Sequence, residues 1–265
     1  IQWQKQVYWK RKSILGMTTP AGKFTLGLNK TIDKILASKY DLVGSNFAGF
    51  KTMSDYVAIG DRIDNAIFYE SKKFDATGGK FYLERQFGEV AGESSGNTRT
   101  GIAKTFKLGD VQGFIAYSEA TGSTGDDDWD QKGFGLQYKT PQKIVLKAQY
   151  WDLSAESNTD TTSGLGYSAD GEGYSVSVMG PISKHTKIGL GFHSSEQSSN
   201  EAEKIEMTQL VMLHSFSKKV TGYVMAGNLD NGTAANHELH KKGFSSQPAN
   251  GGDQDGFVVG LRIKF

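Results

Sequence analysis

The residues that could carry nucleophilic or metal chemistry are few and scattered along the chain. Of five histidines, only His237 and His240 have the spacing of neighbours on a helix, and the residues around them have the composition of a loop. The local hint of a base beside nucleophiles is His193, the one histidine followed directly by two serines, Ser194 and Ser195. The chain has no phosphate-binding loop, zinc spacing or nucleophile elbow. The sequence therefore predicts neither an enzyme active site nor a bound cofactor.

A run of three acids, Asp126 to Asp128, is the other group that could hold a cation. Such runs more often form solvated loops, so no metal site is predicted. Because the chain has no Cys, disulfides and thiolate metal sites are excluded. The net charge of +1 argues against nucleic acid as a partner, since nucleic-acid-binding proteins carry a basic excess.

The hydrophobic content is low for a chain of this length. Only 37% of the 265 residues are hydrophobic, 33 are Gly, and the mean hydropathy is negative. A soluble domain of this size usually contains more aliphatic residues. A closed barrel with a water-filled interior does not need them, because only a band on its outer surface is apolar. No apolar run is long enough for a transmembrane helix.

Period-2 alternation recurs from end to end and is clearest in residues 256–265. One side of this segment is fully apolar, and the other carries small residues together with Arg262 and Lys264. Such alternation is typical of strands with one apolar and one wet face. About fourteen strands are predicted, at 1–6, 9–17, 22–28, 62–71, 78–88, 98–107, 111–119, 131–139, 143–151, 172–179, 186–193, 204–216, 220–228 and 256–265.

The connections between these segments alternate in length. Those at 107–110 and 140–143 are short turns, whereas those at 119–130 and 154–172 are long and polar. Short turns on one side and long loops on the other are typical of an outer-membrane barrel. A soluble β-sandwich would have more uniformly apolar inner faces. The sequence predicts an all-β fold, a transmembrane antiparallel barrel that forms a single domain over residues 1–265.

Several segments resemble the general diffusion porins of Gram-negative bacteria, a family of 16-stranded trimeric barrels. The ending VGLRIKF (259–265) and SFSKKVTGYVMAG (215–227), with its Ser-Lys turn, are similar to the end of the family pattern. DRIDNAIFYESKKF (61–74) resembles the strand after the family's constriction loop, and RKSILGMTTPAGKFTLG (11–27) the two strands before it. Two further strands precede this point in the family. We favour missing N-terminal strands, because IQWQK (1–5) matches the middle of the pattern; a smaller, fourteen-stranded barrel is the alternative.

The resemblance implies an outer-membrane porin, a water-filled channel for passive diffusion of ions and small hydrophilic solutes, and not an enzyme. It implies a homotrimer surrounded by outer-membrane lipid and lipopolysaccharide. The terminal Phe265 matches the signal that the barrel-assembly machinery reads in this class. Two other classes remain open: an outer-membrane barrel enzyme with a hydrolytic site at its rim, and a plugged structural anchor or adhesin.

Residues 29–61, which precede the strand at 62–71, form the longest connection in the chain. They contain apolar residues that the other loops lack. A loop of this composition needs a surface to pack on. By resemblance it is the third loop, which folds into the barrel and narrows it. We expect IDKILASKY (32–40) to form a short helix.

In the family, acids on this loop face basic residues across the pore, and their opposed charges set ion selectivity. By position, Arg11 and Arg62 match the basic wall and Asp41 matches a loop acid, while Asn46 replaces the other usual acid. Asp33 and Asp55 are further constriction residues. If Asp41 alone reaches the narrow zone, the pore should be weakly anion-selective; if Asp33 and Asp55 also face it, the charges nearly balance.

The alternation also predicts which side chains face water and which face lipid. Side chains expected to point into the pore are Lys147, Gln149, Lys187, His193, Arg262 and Lys264. Side chains expected to face lipid are Ile144, Leu146, Ile188, Leu190, Leu261 and Ile263. A one-residue change of register would exchange the two sets.

Overall fold

The computed structural model describes residues 12–44, 47–50, 62–73, 78–88, 98–121, 128–155, 170–197, 200–239 and 248–264. These residues form fourteen strands and one helix, α1 (Ile32–Tyr40). The all-β fold class and the helix at 32–40 are confirmed. Within the described part of the chain, no helix has the length and apolar content to cross a membrane.

The strands follow one another along the chain with few interruptions. Their bounds are β1 (Ser13–Thr18), β2 (Gly22–Lys30), β3 (Arg62–Ile63), β4 (Ala66–Ser71), β5 (Phe81–Gln86), β6 (Thr98–Leu108), β7 (Val111–Thr121), β8 (Trp129–Lys139), β9 (Val145–Ala155), β10 (Gly171–Pro181), β11 (Thr186–Gln197), β12 (Asn200–Ser215), β13 (Val220–Asn231) and β14 (Gln254–Ile263).

All strands belong to one antiparallel sheet in which neighbours in sequence are neighbours in space. The order runs from β1 to β14, and only the short β3 lies off this path, paired with the end of β2. Among the described residues, β1 pairs only with β2 and β14 only with β13, so the sheet is not closed. Such hairpin-by-hairpin order is that of an up-and-down barrel wall.

Two predicted strands differ from the observed ones. The segment 62–71 is divided into β3 and β4, because Asn65 adopts a positive φ of 45° that an extended strand does not allow. The predicted strand at 1–6 lies outside the described residues. Residues 9–11 of the predicted strand at 9–17, and Phe265 of the last one, also lie outside the described residues. The described parts of the remaining predicted strands are confirmed, with bounds that shift by a few residues.

The sheet has two chemically different faces. We call the face that α1 contacts the inner face and the opposite one the outer face. Leu190 and Leu261 are 52% and 63% exposed on the outer face, whereas Gln149 and His193 are 3% and 0% exposed on the inner face. Burial thus divides these strand residues between the two faces as the alternation predicted, and their exposure to lipid and to the pore remains a prediction.

The segment after β2 crosses the inner face. Helix α1 contacts β5 to β9, with Leu36 and Tyr40 in a cluster with wall residues Phe114 and Trp151. Further along the chain, Ala48 packs against β12 and β13 in a second buried cluster. The described part of the loop thus follows the sheet from β5 to β13, on the side away from the exposed aliphatic residues.

Candidate functional site: the loop helix and the inner wall

Helix α1 begins at a capped N-terminus. The Thr31 hydroxyl accepts a hydrogen bond from the amide of Lys34 (3.2 Å), which satisfies one of the amides that a first helical turn leaves free. Asp33 lies in the first turn and Lys39 in the last, as the helix dipole favours. The apolar residues Ile32, Leu36 and Tyr40 then share the face that packs on the wall.

The wall makes room for this helix with glycines. A Cβ at Gly133 would lie 2.3 Å from the Trp151 ring, and one at Gly135 would lie 2.2 Å from the Phe114 ring. Both aromatic rings therefore lie flat over backbone that carries no side chain. The Phe114 ring packs against Tyr40 of α1, with centroids 4.7 Å apart. The strand glycines are thus part of the surface that receives the loop helix.

A buried guanidinium joins α1 to the wall. The Arg99 side chain, on β6, donates to Glu84 Oε1 from Nε (2.8 Å) and to Asp33 Oδ2 from Nη2. Asp33 Oδ2 also accepts from the hydroxyl of Ser118 (2.6 Å) and from the amide of Gln131 (3.3 Å). The helix therefore contributes one acid to a network whose other members come from four strands.

This network is removed from solvent. Asp33 and Arg99 are each 1% exposed and Glu84 is 2% exposed. The second Glu84 oxygen accepts from the amide of Ile32 (2.7 Å), and the Arg99 guanidinium lies 4.9 Å from the Trp129 ring centroid. Because each carboxylate is hydrogen-bonded and shares one cation, the cost of burying these charges is offset only while all members are present.

A second group holds the C-terminal end of α1. The Lys147 ammonium donates to the backbone carbonyls of Lys39 (3.0 Å) and Asp41 (2.6 Å), and the Gln149 amide donates to that of Ala37 (3.2 Å). The carbonyl of Lys39 lies in the last turn, where a helix leaves carbonyls without an internal partner. The carbonyl of Ala37 also accepts from the amide of Asp41 (2.9 Å), the residue that ends the helix. Wall side chains therefore cap the helix from outside.

The Asp41 side chain turns toward the wall as well. Its Oδ1 accepts from the amide of Leu42 (2.7 Å) and lies 3.9 Å from His193 Nε2, while His193 Nδ1 lies 2.9 Å from the Ser175 hydroxyl. Burial raises the pKa of Asp41 to about 6, although the Leu42 amide and the Lys147 charge act in the opposite direction. The carboxyl group of Asp41 thus titrates well above its ordinary range.

The expected constriction residues do not share one environment. Asp33 and Asp41 are each 1% exposed and face the wall, so neither carboxylate faces the lumen as the sequence suggested. The reason is that each finds polar partners on the strands. Arg62, on β3, is half-buried at the loop end of the sheet. Arg11, Asn46, Asp55 and the assembly residue Phe265 lie outside the described residues.

The four expected pore-lining cations lie on or next to the inner face. Lys147 contacts α1, whereas Lys187 and Arg262 are exposed on the same face of the sheet. Lys264 follows β14 and is exposed. Its backbone amide donates a hydrogen bond to the backbone carbonyl of Lys219 (2.9 Å). The wall therefore presents free cations, while the described acids of the loop are turned away from the lumen.

Arg99, Glu84, Ser118 and Gln131 were not identified from the sequence. Their signal was present in the alternation, which places Arg99 on the inner side of β6 with Gly101 and Ala103. The register then sets Ser118 opposite both Gly101 and Gln131. The sequence alone did not show that the fold brings Asp33 next to Arg99, which is 66 residues away along the chain.

We expect Arg99→Met to lower the free energy of unfolding by about 3–5 kcal/mol, because Asp33 and Glu84 would remain buried without their cation. Urea unfolding followed by tryptophan fluorescence measures this. Arg85→Met is the matched control, since Arg85 is exposed on the outer face of the adjacent strand. Neutralising Asp33 and Glu84 as well (Asp33→Asn, Glu84→Gln) should restore part of the loss. Equal effects of Arg99→Met and Arg85→Met would contradict the proposed role of the network.

The raised pKa of Asp41 predicts a pH dependence. A folded-state pKa of about 6, against an ordinary 3.8, means that the folded chain binds this proton more tightly than the unfolded chain. Stability relative to Asp41→Asn should therefore increase as the pH falls from about 6 to 4, by up to about 3 kcal/mol. Urea unfolding of both proteins across this range is the measurement. A difference that does not change with pH would show that the carboxyl group titrates normally.

Comparison with known proteins agrees with the fold. A family model of Gram-negative porins matches residues 4–234. An anion-selective porin from Comamonas acidovorans has a similar structure, with a TM-score of 0.80 and 19% identity over 97% of this chain and 78% of that one. No curated protein matches the sequence.

Two further solved structures have the same architecture. OmpT of Vibrio cholerae has a TM-score of 0.67 and 17% identity over 96% of this chain and 80% of that one. OmpF of Salmonella typhi, in complex with daunomycin, also has a TM-score of 0.67, with 15% identity over 95% of this chain and 77% of that one. At these identities the structures show the fold, and the family model carries the assignment. The chain is a member of the Gram-negative porin family, an integral outer-membrane β-barrel that forms a diffusion channel.

Proposed function

We propose that residues 29–61 form the constriction loop of this channel, within a single barrel domain of residues 1–265. The observation that carries this proposal is the path of the described part of the loop, residues 29–44 and 47–50. It follows the inner face from β5 to β13 and is held there by Arg99 and Lys147. A segment attached to the inner wall at several points occupies part of the cross-section of the lumen. Solutes must then pass between it and the remaining wall.

We infer that the channel prefers anions. Lys187 and Arg262 are exposed on the inner face, whereas Asp33 and Asp41 are buried against the wall. Arg11 and Arg62 would add positive charge to the narrow zone, and Asn46 stands where a further acid would reduce it. Asp55 is the remaining loop acid proposed for this zone. One protein of similar structure, that from Comamonas acidovorans, is an anion-selective porin.

The proposed transport is passive and non-catalytic. His193, Ser175 and Asp41 do lie in the order of a hydrolase triad, but their side chains are at most 1% exposed. A nucleophile needs access to its substrate. Ser194 and Ser195, beside His193 in sequence, are also only 1% exposed. His193, held by Ser175, belongs to the part of the wall that faces Asp41 of the loop.

We propose that the protein assembles as a homotrimer in outer-membrane lipid and lipopolysaccharide. One of the similar Vibrio cholerae OmpT structures is described as a trimer form. Leu15 and Met17, on the outer face of β1, are 72% and 61% exposed, which suits a contact with lipid or with another subunit. Phe265 would serve the barrel-assembly machinery, and small hydrophilic anions would be the solutes.

The selectivity is tested by the reversal potential of single channels in a KCl gradient. We expect the wild type to prefer chloride. Arg62→Ala should shift the reversal potential toward the equilibrium potential of potassium, because the substitution removes one positive charge from the narrow zone. Arg85→Ala removes the same charge from the outer face and should leave the potential unchanged. A cation-selective wild type, or equal shifts in the two variants, would refute the proposal.

The assembly is tested by light scattering of the detergent-solubilised protein, with the mass of bound detergent subtracted. We expect the mass of three chains. Dissociation on heating should precede unfolding, since exposed residues such as Leu15 and Met17 contribute to contact between subunits and not to the wall itself. A monomer under conditions in which the channel is active would rule out the proposed trimer.

A further inference from the structure

Five exposed cations lie at the same level of the inner face. On four strands, the cation is within two residues of the strand end that leads to a short turn. On β14, it is next to the strand end that pairs with the turn end of β13. They are Lys23 on β2, Lys107 on β6, Lys139 on β8, Lys187 on β11 and Arg262 on β14. We call them the turn-side cations. Short turns of bacterial barrels face the periplasm, so these cations surround the periplasmic mouth.

The alternation of the strands places these side chains inside. Lys139 shares the face of Gly135, on which the Phe114 ring lies, and Lys187 shares that of Gly189, which faces Leu42 of the loop. Among the described residues, no carboxylate oxygen lies within 4.0 Å of any turn-side cation. Among the described residues, none of the five therefore has an ion-pair partner, although Lys23 lies opposite Glu70 in the register of β2 and β4.

Acids do not balance this end of the inner face. Glu70, next to the turn end of β4, is an inward-facing acid at this level among the described residues, and its carboxylate is paired with Lys80. Three acids lie near the long-loop ends of their strands but on the outer face, in step with the exposed residues Tyr117, Tyr174 and Val224: these are Glu119, Glu172 and Asp230. Among the inward-facing strand residues that the structure describes, positive charge therefore exceeds negative charge at the turn end.

Fixed charge at one mouth acts on ions over the Debye length. This length is about 30 Å in 0.01 M salt, comparable with the height of a barrel, and about 3 Å in 1 M salt. In dilute salt the turn-side cations therefore concentrate anions at one mouth only. The ion content of the pore then depends on the direction of the applied field.

We propose that the turn-side cations form an anion-collecting vestibule that determines specificity for small anions and makes the channel rectify. This inference rests on the proposed anion-preferring channel. It adds that the current through the channel depends on the direction of the applied voltage. The side chains that determine the effect belong to the periplasmic end of the wall and not to the constriction loop. They act on chloride, phosphate and small carboxylates by charge.

The test is the current–voltage relation of single channels inserted in one direction into a planar bilayer, in symmetric KCl. In about 0.01 M KCl we expect currents at equal and opposite voltages to differ at least about twofold. In about 1 M KCl the ratio should return to one, because screening confines each charge to its neighbourhood. Reversing the side of insertion should invert the ratio.

The combined variant Lys139→Gln, Lys187→Gln and Arg262→Gln removes three of the five turn-side cations. It should bring the current ratio in dilute salt closer to one while retaining its conductance in 1 M KCl, which shows that the barrel is intact. The matched control is Lys104→Gln, Lys132→Gln and Lys204→Gln, which removes equal charge from the outer face and should keep the asymmetry of the wild type. A wild type without channels would overturn the proposed function together with this inference. Channels with a linear relation in dilute salt, or a combined variant with the current ratio of the wild type, would overturn the inference alone.

Discussion

The attachment of the start of the loop helix to the inner wall depends on one buried guanidinium. Arg99 binds an acid of the loop helix, Asp33, and an acid of the wall, Glu84, where none of the three meets water. Two carboxylates share one cation, so the network tolerates no loss of a member. Ser118, Gln131 and the amide of Ile32 supply the remaining hydrogen bonds. The start of the helix is therefore tied to β5, β6, β7 and β8 at one point.

This attachment determines which charges the lumen meets. Since Asp33 and Asp41 satisfy partners in the wall, the described part of the loop offers the pore the exposed side chains of Ile35 and Lys39 instead of acids. Burial, and then the charge of Lys80, lower the pKa of Lys39. The wall contributes cations that no described acid neutralises. The preference of the channel for anions or cations then depends on which acids are buried, and not only on the number of acids in the chain.

Much of the fold could be predicted because it depends on local pattern. Alternation located the strands and their faces. The short helix expected at 32–40 is present, with Thr31 as its N-cap and with Ile32, Leu36 and Tyr40 on the wall. The division of 62–71 could not be predicted, since it depends on the positive φ of Asn65. The direction of the loop acids could not be predicted either. It depends on Arg99 and His193, which the fold brings to Asp33 and Asp41 from distant strands.

The central claim is that α1 is fixed on the inner wall by these buried contacts. The chain has no Cys, so spin labels can be placed at Lys39→Cys on the helix and Lys139→Cys on the wall without background. Pulsed electron–electron resonance in detergent micelles then measures the distance between them. We predict one narrow distance distribution that broadens when Arg99 is replaced by Met. A broad or multiple distribution in the protein with Arg99 intact would contradict the claim.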